Sequence, residues 1–296
     1  MRTARDATTP LTAGWATLAI MGASFGFASI AIATVLATRA GTTLTTIVAG
    51  RFLLAGMLIA PIVGVRALSI GRARAVPLLV QCGFGQVLIN MLALSALAYI
   101  SAASAVFLFY TYPAWVAVFA AVRGSERIGT RRAGALLLSL AGLVVMIGLP
   151  GGETLHPLGV GFALAGAVVY AVYIPLLGRL QQRVDPLVAT FYIAIGVVLL
   201  LAVVGAIGGQ LQWQLPLRAV GAIAWMAVVS TLFAFTLFMR GLATLGPVQT
   251  SIVATVEPFF AALLAAAVLG QPIRVPTLIG GTLIALAVIL LQRPTR

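Results

Sequence analysis

The stretch AVPLLVQCGFGQVLINMLALSALAYISAASAVFLFYTYPAWVAVFAAV, residues 75–122, decides the fold, because its 48 residues carry no formal charge. A membrane-spanning helix needs about 20 apolar residues, since a helix rises ~1.5 Å per residue through ~30 Å of hydrocarbon. The stretch is therefore long enough to cross a membrane twice. Gly83, Gly85 and the segment 99–101 interrupt it. We predict two membrane helices here, joined by a very short turn.

The rest of the chain continues this pattern. Of its 296 residues, 62% are hydrophobic and only 8% are charged, too few for a soluble domain of this length. The apolar runs show no period-two alternation, and open strands cannot satisfy their backbone in lipid. We predict an all-α polytopic membrane protein with ten transmembrane helices. The predicted spans are 14–36, 43–64, 75–98, 103–122, 131–149, 157–178, 187–207, 219–241, 247–269 and 275–292.

The first span is too long for a signal-peptide core, so we expect it to be retained as a helix. The breaks between the spans are too short for a nucleotide-binding domain. We therefore expect that this chain alone does not drive transport with ATP.

The positions of the arginines predict the orientation. All 18 basic residues are arginines, and 14 of them fall at the termini or in even-numbered breaks between spans. Only Arg39, Arg218 and Arg274 fall in odd-numbered breaks, and Arg51 lies inside a span. Because cytoplasmic loops retain positive charge, we predict that both termini are cytoplasmic. The 14 arginines are Arg2, Arg5, Arg66, Arg72, Arg74, Arg123, Arg127, Arg131, Arg132, Arg179, Arg183, Arg240, Arg293 and Arg296.

The net charge of +13 would suggest a nucleic-acid partner in a soluble protein. Here the asymmetry of the loops explains the charge as topology, with an additional attraction to anionic lipid headgroups. We expect membrane lipid and no nucleic acid as partners.

Residues repeat at a constant offset of half the chain. Leu97-Ala98 recurs as Leu242-Ala243, and Pro113 recurs as Pro258, both at an offset of 145. This offset corresponds to five spans, and five is odd, so the second copy enters the membrane from the opposite side. We predict two inverted five-helix repeats, residues 1–150 and 151–296. Inverted repeats are typical of secondary transporters, whose substrate site lies near the midplane between the halves.

Glu257 is the strongest candidate for a functional residue. It lies about ten residues into the ninth span, some ~15 Å deep at 1.5 Å per residue, and is the only carboxylate well inside any span. An ionised carboxylate at this depth costs several kcal/mol, so the group is protonated, paired or facing water. It is a candidate for proton coupling or for binding a substrate ammonium. The alternative is a neutral glutamate that bonds to backbone freed by Pro258.

Arg51 lies roughly eight residues into the second span. It could be a charge partner of Glu257, bind a substrate carboxylate, extend to the membrane surface, or have a structural role.

Further polar and aromatic residues lie deep in the spans. Gln86 and Asn90 are four residues apart and share one helix face, which predicts either cavity lining or helix–helix hydrogen bonding. Thr250 lies seven residues before Glu257, on the same face. Deep aromatic residues favour an organic substrate over a bare ion, although each could be packing. This group, with one neighbouring threonine, comprises Tyr110, Thr111, Tyr112, Tyr170, Tyr173 and Trp225.

The sequence offers little for other chemistry. His156 is the only histidine, so no histidine cluster can bind a metal, and Cys82 is the only cysteine, so no intramolecular disulfide can form. An intramembrane enzyme would need paired carboxylates, a deep histidine or a Ser/Lys dyad. We predict no enzyme activity, no metal and no cofactor.

Several short motifs resemble the drug/metabolite transporter superfamily, and specifically its EamA-type members. The clearest is Ala49-Gly50-Arg51-Phe52-Leu53-Leu54, which is similar to the family's second helix. The others are Ala96-Leu97-Ala98-Tyr99 up to Pro113, Glu126 after the fourth span, and Val256-Glu257-Pro258. One departure is Gln271, where the second half usually carries a glutamate.

The resemblance implies a bacterial inner-membrane exporter of small metabolites that works by alternating access, with Pro113 and Pro258 as helix kinks. The nearest resemblance is to exporters of aromatic and other bulky neutral amino acids, and we expect a monomer. In this family helices 1, 3, 4, 6, 8 and 9 enclose the cavity. That implies a substrate site on Gln86, Asn90, Tyr110, Thr111, Tyr173, Thr250 and Glu257.

The alternative is a multidrug transporter that exports lipophilic cations, for which one deep carboxylate among aromatic rings is also suitable. Charge preference separates the two, because a zwitterion needs a donor for its carboxylate, such as Arg51 or Asn90.

Overall fold

The computed structural model describes residues 11–126, 128–148, 156–182, 184–209 and 211–292. Within these residues the chain is helical throughout, apart from turns and short connections. Some of the arginines that orient the chain lie outside the described residues: Arg2, Arg5, Arg127, Arg183, Arg293 and Arg296. The predicted boundary between residues 150 and 151 also lies outside them.

The ten predicted membrane helices are present, and we number them α1 to α10. Nine helices of the described chain are long and apolar enough to cross a membrane, but one of them, Leu217–Ala254, has 38 residues. Gly246 has non-helical angles, φ 74° and ψ 170°, and divides that helix. The remainder, residues 247–254, joins Glu257–Leu269 to form a further crossing. The prediction of an all-α membrane protein with ten helices is confirmed.

The bounds are as follows: α1 Ala13–Arg39, α2 Leu44–Val63, α3 Arg72–Leu97, α4 Ala102–Phe109 with Tyr112–Val122, α5 Thr130–Ile147, α6 Pro157–Leu180, α7 Pro186–Gly208, α8 217–245, α9 247–254 with Glu257–Leu269, and α10 Val275–Gln292. A short helix, Val65–Ser69, connects α2 to α3.

Side-chain caps fix where several of these helices begin. The hydroxyl of Thr43 accepts a hydrogen bond from Thr46 N at 3.3 Å at the start of α2. The carboxylate of Asp185 accepts one from Leu187 N at 2.8 Å at the start of α7. Such caps satisfy backbone N–H groups that have no partner within the helix. These caps fix the first residue of each helix, and the connections before α2 and α7 are short.

Helices α4 and α9 are interrupted at equivalent positions. The break in α4 falls at Tyr110 and Thr111, and the break in α9 falls at Thr255 and Val256, which is the repeat offset of 145. Each second segment carries its proline in the first turn, where the missing N–H costs nothing. The predicted kinks at Pro113 and Pro258 thus correspond to breaks that lie just ahead of the prolines.

Helices α3 and α8 both contain a π-helical segment, Leu78–Cys82 in α3 and Met226–Phe233 in α8. These two helices are counterparts in the repeat. Since π-helical segments interrupt the regular hydrogen-bond ladder, they mark places where a helix is locally distorted.

The packing of the helices has the symmetry of an inverted repeat. Helix α1 packs on α8 and α9, and its counterpart α6 packs on α3 and α4. The pairs α2–α7 and α5–α10 also pack together, and each joins one helix to its own counterpart. Exchanging the two sets of five helices therefore leaves these contacts unchanged. Helices α1, α3, α4, α6, α8 and α9 form one connected group.

Close approach of α7 to α3 depends on Gly196. A Cβ atom built on Gly196 would collide with the carbonyl oxygen of Leu79. A Cβ atom built on Gly83 of α3 would lie 2.9 Å from the backbone of Gly196. Small residues let membrane helices approach closely and gain van der Waals contact.

Candidate functional site

Glu257 begins the second segment of α9, directly after the break at Thr255 and Val256. Its neighbours Val256 and Pro258 are buried, whereas Glu257 itself is partly exposed. The side chain is therefore not packed into the helix interface like the residues around it. The break places a carboxyl group at the start of a helix segment, deep in the ninth crossing.

The nearest polar neighbour identified for Glu257 is Tyr110, whose phenol interacts with the carboxyl group. Tyr110 lies in the break of α4 and is itself buried. This contact connects the interrupted region of α4 to the interrupted region of α9. The two predicted residues come together at the place where both helices lose their regular structure.

Four aromatic residues surround this contact and, with Tyr110, form the tyrosine cluster: Phe109, Tyr110, Tyr112, Tyr170 and Tyr173. The rings of Tyr112 and Tyr170 meet edge to face with centroids 4.7 Å apart, and Phe109 stacks on Tyr170 at 5.5 Å. Tyr170 also stacks on Tyr173 at 6.2 Å. The hydroxyls of Tyr112 and Tyr170 lie near enough to Glu257 to interact with it electrostatically.

This arrangement has a defined chemical preference. Aromatic faces attract cations through their quadrupole, and a carboxylate adds a full negative charge. A substrate ammonium group is therefore the ligand that the tyrosine cluster and Glu257 are suited to hold.

Two further predicted residues carry buried hydroxyls without a hydrogen-bond partner in the described part of the chain. They are Tyr173, 3% exposed, and Thr250, fully buried. Leaving a buried donor or acceptor unsatisfied costs about 1–3 kcal/mol. Either hydroxyl would gain from a polar group supplied by a ligand or by water.

The side chains of Asn90 and Thr111 each donate a hydrogen bond to a backbone carbonyl oxygen of the preceding turn. The Asn90 amide donates to the Gln86 carbonyl oxygen at 2.6 Å, one turn earlier in α3. The Thr111 hydroxyl donates to the Leu108 carbonyl oxygen at 2.7 Å, within the break of α4. Gln86 and Asn90 are partly buried on one face of α3, which packs on α6. No hydrogen bond among the described residues joins Gln86, Asn90 or Thr111 to Glu257.

Arg51 is 6% exposed, so the interpretation that its side chain extends to the membrane surface is wrong. Its guanidinium carbon lies 4.5 Å from the ring centroid of Phe52, and its Nε has no hydrogen-bond partner among described atoms. No ion pair in the described chain joins Arg51 to Glu257. Arg51 as a ligand for a substrate carboxylate stays a prediction.

Trp225, predicted as one of the deep aromatic residues, takes part in a polar contact between α1 and α8. Its indole N–H donates to the Ser29 hydroxyl at 3.0 Å, and Ser29 lies 3.2 Å from the hydroxyl of Ser230. This cluster joins α1 to the π-helical segment of α8. Sequence reasoning missed it, because isolated serines at no regular spacing give no signal that they meet.

Comparison with known proteins gives one clear family. The model of the EamA-like transporter family matches residues 14–148 and again residues 157–293. A solved structure titled "Crystal structure of protein" is similar over 94% of this chain and 96% of that chain, with a TM-score of 0.79 and 21% identity. At this identity the similarity shows the fold alone. No curated protein gave a significant match.

Proposed function

Because the chain belongs to the EamA-like transporter family, whose members are membrane transporters of small molecules, we propose that it exports bulky neutral and aromatic amino acids. Membership makes the chain a secondary transporter rather than an enzyme. The proposal adds the substrate class, the direction and the site.

The observation that carries the proposal is the contact between Tyr110 and Glu257 inside the tyrosine cluster. It supports binding of the substrate's ammonium group by the carboxylate, with the apolar side chain of the substrate against the aromatic rings. The unpartnered hydroxyls of Tyr173 and Thr250 supply further polar contacts. Gln86 and Asn90 lie on a neighbouring helix and complete the proposed site.

The breaks in α4 and α9 support alternating access. A helix that is already interrupted can bend there without losing further backbone hydrogen bonds. In our proposal the two halves move around the contact of Tyr110 with Glu257, so that the site opens to one side of the membrane at a time. Pro113 and Pro258 maintain the breaks.

Proton coupling belongs to the same proposal. A carboxyl group that is not bound to the substrate ammonium can carry a proton across the membrane instead. In our proposal Glu257 is that carboxyl group. We place the protein in a bacterial inner membrane, with both termini in the cytoplasm, and expect it to act as a monomer.

A second candidate function is efflux of lipophilic cations. It is favoured by one observation, that no ion pair in the described chain joins Arg51 to Glu257. A lipophilic cation needs only the carboxylate and the rings, whereas an amino acid also needs a donor for its own carboxylate.

The test is exchange in proteoliposomes preloaded with unlabelled amino acids, with and without a pH gradient. We expect saturable uptake of labelled phenylalanine, tryptophan or leucine, and we expect Glu257→Gln to reduce the gradient-driven component at least tenfold. Glu126→Gln is the matched control, since this partly buried carboxylate forms an ion pair with Arg132 at 2.9 Å outside the site.

Each result has a separate meaning. If Glu257→Gln transports like the wild type under a gradient, the coupling role of Glu257 is rejected. If no amino acid is exchanged but lipophilic cations are taken up, the second candidate replaces the first.

A further inference from the structure

A small pocket lies where the beginning of α3 meets the end of α6. It has a volume of about 290 Å³ and is lined by Ala73, Arg74, Arg179, Leu180 and Gln182. The pocket lies at the ends of two membrane helices, and on α6 its Arg179 follows Tyr173 of the tyrosine cluster by six residues. The arginine distribution assigns this end of both helices to the cytoplasmic side.

The positive charges of the two guanidinium groups in this pocket are not paired with an acidic side chain in the described chain. Arg74 and Arg179 are both exposed, and within the described chain neither forms an ion pair or a hydrogen bond. The nearest acidic residue in the sequence, Asp185, uses its carboxylate to cap α7. Two positive charges therefore meet at one pocket, and no carboxylate of the described chain forms an ion pair with either.

The backbone on both sides of the pocket is anchored. On the α3 side, the Tyr192 hydroxyl of α7 donates to the Ala67 carbonyl oxygen at 3.0 Å and so holds the short helix that precedes α3. On the α6 side, the buried side chain of Gln181 donates to the Met239 carbonyl oxygen at 3.1 Å. Arg74 and Arg179 thus extend from backbone that is fixed to α7 and α8.

The two helices that carry the pocket also expose apolar side chains. Val76 and Val80 lie one turn apart on α3 and are 55% and 54% exposed, and Val172 on α6, seven residues before Arg179, is 39% exposed. Such side chains suit lipid acyl chains. A molecule with a phosphate on the pocket and hydrocarbon along these valines would satisfy both surfaces.

We propose that this pocket binds the phosphate of an anionic phospholipid headgroup. Arginine recognises phosphate with paired, charge-assisted hydrogen bonds. Basic pockets between membrane helices on the cytoplasmic side are suited to anionic headgroups, since that leaflet carries negative lipid. A bound headgroup bridges α3 of the first half to α6 of the second, and the proposal does not depend on the transported substrate.

The test is thermal unfolding of the purified, detergent-solubilised protein with added phosphatidylglycerol, phosphatidylcholine or inorganic phosphate. We expect phosphatidylglycerol to raise the unfolding temperature, and phosphatidylcholine and millimolar phosphate to have little effect. In R74Q/R179Q the half-saturating phosphatidylglycerol concentration should rise roughly twenty- to thirtyfold, about fivefold for each arginine.

The matched control is R123Q/R240Q. It removes the same charge from exposed arginines assigned to the same side, and neither residue lines the pocket. Its half-saturating concentration should stay at the wild-type value. If the double pocket variant does not fold, R74Q and R179Q are measured singly, each with an expected fivefold effect.

Two results would overturn the proposal. Equal weakening in R74Q/R179Q and R123Q/R240Q would mean that the lipid responds to overall charge and not to this pocket. Stabilisation by inorganic phosphate equal to that by phosphatidylglycerol, lost in the pocket variant, would make the site one for free phosphate.

Discussion

Tyr110 and Glu257 are 147 positions apart in the chain, yet their side chains meet where α4 and α9 are both interrupted. Each residue alone is unfavourable in a membrane, since a phenol and a carboxyl group both lose solvation there. Contact between the two polar groups reduces this cost for both. In our proposal, the pair is the contact through which a change at one broken helix reaches the other.

Removing the Tyr110 hydroxyl tests this role. Tyr110→Phe removes the polar group that interacts with the Glu257 carboxyl, which should destabilise the protein by about 1–3 kcal/mol and reduce amino-acid exchange. Both effects are measured on one preparation, by thermal unfolding and by proteoliposome flux. Tyr99→Phe is the control, because Tyr99 is 45% exposed and stacks on His156 away from the site. Equal losses in the two variants would contradict a special role for Tyr110.

The sequence was sufficient to find Glu257 but not its partner. A single deep carboxylate stands out in an apolar span, because its cost requires a reason. Tyr110 could be named only as one of several deep aromatic residues. Which of them meets Glu257 depends on how α4 and α9 are rotated, and helices that are apolar on every side give no periodic pattern from which to read rotation.

At the scale of helices, the interruptions of α4 and α9 could be located from the prolines to within a few residues. The π-helical segments of α3 and α8 could not be predicted. Proline lacks a backbone N–H wherever it stands, so its effect on a helix is local and can be predicted from the sequence. A π-helical turn arises from packing against other helices, and no residue type in Leu78–Cys82 requires it.

The approach of α7 to α3 gives a test at this scale. Gly196→Ala places a methyl group against the Leu79 carbonyl oxygen, so the helices must separate at a cost of about 1–3 kcal/mol. That corresponds to a fall of several degrees in the unfolding temperature, at roughly 2–4 °C per kcal/mol. Gly161→Ala in α6 is the control, since no atom lies within 4 Å of its Cβ position. A Gly196→Ala protein as stable as Gly161→Ala would show that this contact is looser than described.

At the scale of the whole molecule, the number of helices and their division into two equivalent sets followed from hydrophobic run lengths and one repeat offset. These quantities are readable because lipid imposes both the length and the helical form of each crossing. The orientation in the membrane rests on the arginines alone.

Labelling with a membrane-impermeant maleimide tests that orientation. In a Cys82→Ala background, His156→Cys should react in intact cells, because His156 is exposed and lies in a loop assigned to the outside. Arg123→Cys, equally exposed but assigned to the inside, should react only after permeabilisation. The reverse pattern would invert the topology. Wild-type protein should stay unlabelled, since its one cysteine is fully buried.

The exchange symmetry of the helix contacts has a consequence for how the protein is made. Each set of five helices has its two ends on opposite faces of the membrane, so the translocon must insert two units of one architecture in opposing directions. Because the two units share one architecture, the architecture cannot determine the direction in which each is inserted. The unequal placement of arginines must determine it. A five-helix unit stripped of this bias would insert both ways, and a pair of oppositely inserted copies could form every contact that now joins the two halves of one chain.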